Sequence, residues 1–188
     1  MIEIELTRVE WLYAATRGIE RQIDGALRKR HPGHGSPDKR TNDGWFWNVN
    51  GASGEACVAK WLGVPWNGSF GNLKASDVAF LEVRTTPGHD YPLRLHDDDK
   101  DGCVYVLVTG RGPTWRIHGY IVGARGKRQE WFHDRPPPSE KPTGRPAYWV
   151  PQGSLSHDLA LLKGRVLAHL ARQQANGQRR DRDQERQD

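Results

Sequence analysis

Two cysteines and one methionine in 188 residues leave little room for sulfur chemistry. Cys57 and Cys103 stand far apart, with no cysteine or histidine partners at metal-ligand spacing. Nothing therefore suggests a zinc site or a disulfide framework, and both read as buried thiols. No apolar run approaches the roughly 20 residues of a membrane span. The N-terminus lacks the charged-then-apolar order of a secretory signal. The expectation is a cytoplasmic protein with no membrane partner. The phosphate-cradling glycine motif of nucleotide hydrolases is missing, and so is any internal repeat.

Charge is plentiful and uneven. The net charge is +5. Residues 111–145 carry eight Lys/Arg against three acids, while residues 61–110 carry four against seven. An acidic stretch followed by a basic one suits a polyanion held beside a cation; an ordinary mixed surface is the plain alternative. Arg116, Arg125, Lys127 and Arg128 are the candidate backbone contacts.

Thr7-Arg-Val-Glu10 has the form of a capping box and predicts a helix to about Arg30. Leu12, Ala15, Ile19, Ile23 and Leu27 form its apolar stripe and are expected to face the core. The helix end, Arg28 to His31, is basic, as the dipole favours, or else touches DNA. Residues 31–48 read as a long loop whose end is anchored by Trp45, Phe46 and Trp47. A second helix is expected from Ser53 to Leu62, with Gly51 and Gly54 allowing close approach at its start. Strands follow near 66–70, 77–85, 91–95, 103–109 and 115–122, with a helical turn in 124–132 and a last strand at 148–150. Five prolines in 134–146 dictate an extended loop. Leu159, Leu162, Val166 and Leu170 mark a C-terminal helix, and the polar tail from Arg172 is expected to lack structure. The domain reading is an N-terminal helix and loop over 1–48, a core over 49–153, a helix over 154–171 and a tail over 172–188.

The densest chemistry is Asp77-Val-Ala-Phe-Leu-Glu82-Val-Arg84, one helix after Gly51-Ala-Ser-Gly54-Glu55. Glu82 and Arg84 are two apart and share a strand face. Setting them in an apolar strand is costly unless they pair or bind something. On a straight strand Asp77 and Glu82 would lie on opposite faces, about 16 Å apart. For them to meet, the chain must bend sharply around Val78-Ala79-Phe80. The plainer readings are a helix-dipole role for Glu55, a turn role for Asp77 and an ion pair for Glu82–Arg84. Asp97-x-Asp99-x-Asp101 lacks the later ligands of a calcium loop and reads as an acidic turn. His31, His34 and His89 read as loop residues, with His89 a minor candidate as a site accessory.

This order of Gly-x-x-Gly-Glu on a helix, then Asp, then Glu-Val-Arg-Thr on a strand resembles the PD-(D/E)XK nuclease superfamily, especially its small phage-borne and actinobacterial members. Tyr105-Val-Leu-Val-Thr109, Trp115-Arg-Ile-His-Gly119 and Ala147-Tyr-Trp-Val-Pro-Gln152 add to the likeness, which covers about residues 50–153. The resemblance implies an α/β, restriction-endonuclease-like mixed sheet flanked by helices, with an N-terminal and a C-terminal helix. It implies a DNA phosphodiesterase with Asp77, Glu82 and Glu55 holding Mg²⁺ or Mn²⁺. Arg84 takes the position of the family's lysine and stays charged, so it cannot serve as a base. The rival is a catalytically inactive DNA-binding or protein-interaction module on the same scaffold. The oligomeric state is open, a homodimer included.

Overall fold

The structure is a computed structural model, and it describes residues 1–27, 43–68, 76–135 and 145–184. The Arg28–His31 cluster, His34 and the 136–144 proline stretch lie outside the described residues. The chain is α/β, with a mixed sheet and four helices.

Ile2–Glu5 alternates apolar and acidic residues and forms β1. It pairs antiparallel with β5 (Thr114–Val122), which pairs antiparallel with β4 (Val104–Gly110). The edge strand is β2 (Leu81–Thr86), parallel to β4 with Glu82 level with Tyr105 and Thr86 with Thr109. A second sheet orders β3 (Leu93–Leu95), β7 (Ala147–Val150) and β6 (Phe132–His133). On one face of the main sheet, Leu81, Val83, Val106, Val108 and Ile117 pack against α2 (Asp43–Leu62) and α4 (Leu159–Gln184). On the other, Tyr105, Leu107 and Ile121 pack with Leu93, Leu95 and Val150 of the second sheet. The short α3 (Gly123–Gly126) and a 3₁₀ turn at Gln129–Trp131 occupy the expected helical turn.

Helix α1 (Arg8–Leu27) opens with the expected box: Glu10 N–H donates to Thr7 Oγ1 at 3.3 Å, and Thr7 N–H to Glu10 Oε2 at 2.7 Å. Its orientation is the opposite of the sequence expectation. Ala14 and Gly18 are buried, and Leu12, Ile19, Ile23 and Leu27 face solvent. The cause is a close helix crossing. A Cβ on Gly18 would stand 2.5 Å from the Val49 Cα, so only this small face admits α2. A stripe of large aliphatic residues could not approach so near.

Helix α2 begins at Asp43, ten residues before the expected start. Asn48, whose Nδ2 donates to Gln22 Oε1 at 2.6 Å, docks this extra length on α1, so tertiary packing overrides the Gly/Asn composition. Trp45, Phe46 and Trp47 are exposed and anchor nothing in the core. Residues 66–68 form no strand. Cys57 is buried and Cys103 half-buried, both as free thiols. Leu159, Leu162 and Val166 bury the expected face of α4. The helix then continues through the supposed tail to Gln184. Its Ala, Gln and Arg residues are good helix formers, and propensity propagates a helix already nucleated on the core.

Candidate active site

The bend that the sequence required is a two-residue hairpin. Val78 and Leu81 exchange both backbone hydrogen bonds, at 3.2 and 2.8 Å, and Ala79 takes φ +55° to close the turn. The next rung sets Asp77 directly opposite Glu82, and cross-strand partners share a face. Asp77 Oδ2 accepts the Val83 N–H at 2.8 Å, folding the carboxylate against the sheet edge. Burial raises the Asp77 carboxyl above the usual range, against the pull of Arg84 and Arg21. Burial also raises Glu82, and the Asp77 charge raises it further. Two carboxylates held together in a half-buried position therefore repel one another.

Glu55 reaches this group from α2. Because the helix starts at Asp43, Glu55 lies well past its first turn, and the helix-dipole explanation falls away. Gly54 makes the approach possible: a Cβ there would stand 2.0 Å from Thr85 Oγ1 on β2, whereas one on Gly51 would meet nothing. Only Gly54 is a close-approach glycine. Glu55 is 4% exposed, and Arg21 of α1 clamps both its oxygens at 2.6 Å. Arg21 Nη2 also donates to Gly68 O at 2.5 Å. Burial pushes the Glu55 carboxyl up to about 7 despite Arg21, and the Asp77 charge adds to the rise.

Arg84 lies 4.0 Å from Glu82, as a same-face neighbour should, but its close partner is Asp99, at 2.7 Å. Its guanidinium sits 5.0 Å over the Tyr105 ring, in cation–π range. Asp99 belongs to the expected acidic turn and also accepts the His96 N–H at 2.9 Å. Lys127 binds this turn from the far side, donating to the carbonyls of Asp97 and Asp99 and pairing with Asp101 at 2.8 Å. Lys127 is therefore a brace for the turn rather than an exposed phosphate contact. The other basic candidates are dispersed. Arg116 pairs with Glu3 across β1 and β5 at 3.1 Å, Arg125 is exposed on α3, and Arg128 lies 4.9 Å over Trp131. His89 turns away from the acids to Thr109, whose hydroxyl also meets His118 at 2.7 Å.

Of the sequence candidates, the hairpin brings Asp77, Glu82 and Arg84 together, and Asp77 and Glu55 are near enough to perturb each other's charge. Glu55, however, spends both oxygens on Arg21, and no group of three metal-capable side chains occurs among the described residues. The structure thus does not assemble the three-carboxylate ligand set of Asp77, Glu82 and Glu55. Arg21 and Asp99 were missed. Arg21 was legible only as a polar residue on the Ala14–Gly18 face, and Asp99 only as part of an acidic run.

A divalent ion still fits the pair. Asp77 and Glu82 offer hard oxygens whose mutual repulsion a cation would relieve, and Mg²⁺ is commonly held by one or two carboxylates with water completing its shell. Compared with known proteins, the chain matches no family model, no curated protein and no solved structure.

Proposed function

We propose that this chain is a metal-dependent phosphodiesterase acting on DNA, with a restriction-endonuclease-like site of PD-(D/E)XK type. The observation that carries the reading is the Val78–Leu81 hairpin, which juxtaposes Asp77 and Glu82 beside Arg84 on a sheet edge. Asp77 and Glu82 would hold Mg²⁺ or Mn²⁺, which supplies Lewis-acid polarisation of a phosphate and a more acidic water. Asp99 fixes the Arg84 guanidinium beside Glu82, where it stabilises charge developing on the phosphoryl oxygens. Glu55, locked by Arg21, orders the hairpin from the helix side rather than binding metal. Arg116, Arg125 and Arg128 provide cationic surface for the DNA backbone.

The test is incubation of the full chain with duplex, single-stranded and branched DNA and either metal, beside Asp77→Asn. Cleavage that chelator and Asp77→Asn both abolish is the expected result. Metal-independent cutting, or none on any substrate, overturns the catalytic reading. The second reading is a non-catalytic DNA-binding or protein-interaction module. It is favoured by the two arginines already matched to carboxylates, Arg21 to Glu55 and Arg84 to Asp99. DNA retention with a steep salt slope and no cleavage is its signature.

A further inference from the structure

The solvent-facing side of α1 is the least explained surface of the molecule. Val9, Leu12, Ile19, Ile23 and Leu27 are 76, 65, 40, 45 and 78% exposed. Val9, Leu12, Thr16, Ile19 and Ile23 recur at alternating steps of three and four, the a/d seam of a helix that packs against another helix. Large aliphatic residues are not needed there by the fold, since α1 grips the body through Ala14, Gly18 and Arg21 on its opposite side.

The seam is complementary to itself when antiparallel. In the register where Leu12 meets Ile23 of a second copy, Thr16 meets Ile19 and Val9 meets Ala26, each an a position against a d. A two-fold axis across the seam then joins like flanks. The flank carrying Arg17 and Glu20, 2.7 Å apart within one chain, sets each beside its opposite in the other copy. In the parallel arrangement Ala15 would face Glu20, with no charge matching, and the helix dipoles would align unfavourably. Twenty residues give a seam about 30 Å long. The exposed Trp45, Phe46 and Trp47 lie at the end of α2 that docks on Gln22 of α1, where they add apolar area toward the roughly 800 Å² per partner of a stable interface.

We propose that α1 is the interface of an antiparallel homodimer, its seam covered by the same seam of a second copy. The experiment is sedimentation of the full chain over a concentration series, with circular dichroism to establish folding. Wild type should sediment as a dimer that dissociates on dilution. Leu12→Glu and Ile23→Glu, at exposed positions, should stay folded and raise the dissociation constant by about tenfold or more, the effect of losing a central apolar anchor. Thr16→Ile, which makes the seam centre apolar, should tighten the dimer. Under oxidation, Leu12→Cys with Ile23→Cys should give a covalent dimer and either single change should not, because the register is antiparallel. A protein that stays monomeric throughout, a dimer indifferent to Leu12→Glu, or cross-linking by Leu12→Cys alone overturns the proposal.

Discussion

Replacing Arg21 with Met removes the cation that holds both oxygens of a buried carboxylate and keeps most of its apolar stem. In the intact protein the Glu55 carboxyl is raised from 4.5 to about 7 by burial, a gap of about 2.5 units. At about 1.4 kcal/mol per unit this corresponds to about 3.4 kcal/mol. The folded state keeps a proton that the unfolded chain releases between these values, so stability falls as pH rises from 4.5 to 7 and this contribution is constant above 7. Without Arg21 two hydrogen bonds to the carboxylate vanish, and the folded-state value rises further. The loss should then continue above pH 7 at about 1.4 kcal/mol per unit, with a total cost of about 3–5 kcal/mol for the unpaired charge. Near pH 4.5, where Glu55 is protonated in both proteins, the two stabilities should converge. Asp77 and Glu82 are also raised and lower stability in the same direction, but in both proteins, and so largely cancel in the difference. Urea unfolding at half-unit steps from pH 4.5 to 8.5 measures it. Parallel curves with one fixed offset would refute the assignment of Glu55 as a carboxylate held against its own desolvation.

Ala79→Gly should raise the melting temperature, by an amount equivalent to about 1 kcal/mol, because φ +55° is a left-handed conformation that burdens any Cβ; Ala79→Val should lower it. Lys127→Ala should lower thermal stability by releasing the 97–101 turn while leaving the salt slope of DNA binding unchanged, whereas Arg128→Glu should flatten that slope in a filter-binding titration. Arg84→Lys should retain cleavage, and Arg84→Ala should lose about 10²-fold in turnover, the usual effect of removing one preorganised donor. A folded Arg84→Ala protein that cuts at the wild-type rate would remove Arg84 from the mechanism.

The β4 and β5 strands and the apolar face of α4 were legible because β-branched runs and helical spacing carry their own signal. The hairpin was legible by contradiction: two acids five residues apart can meet only if the chain turns between them. β1 was readable in its Ile-Glu-Ile-Glu alternation and was overlooked, so residues 1–48 were set apart from the core although β1 pairs with β5 in the main sheet. Periodicity identified two faces of α1 but not which of them is buried. That choice rests on the Gly18–Val49 crossing, a long-range fact that no local window contains. The same inversion hid Arg21, because the face that carries it was assigned to solvent. The role of Lys127 was hidden for a different reason. Charge counts along a chain cannot separate a phosphate contact from a side chain that braces three aspartates.

β2 is an edge strand, and an open edge invites pairing with another chain unless something covers it. Here the cover and the chemistry are one residue, since the Asp77 carboxylate that occupies the Val83 N–H is also the one set against Glu82. Truncation to alanine would therefore open the edge and remove the charge together, and any lost activity would have two explanations. Asp77→Asn separates them. Its amide oxygen can still accept the Val83 N–H, so the hairpin should remain and thermal stability should hold or rise, since a buried negative charge has gone. Glu82, relieved of its neighbour's charge, should titrate lower than in the wild type, a shift that carboxyl-carbon NMR would follow. A folded Asp77→Asn protein with no metal-dependent activity then locates the defect in the carboxylate pair. If it unfolds instead, the charge itself was part of the hairpin's support, and the interaction of Asp77 with Arg21 and Arg84 outweighs the cost of burying it.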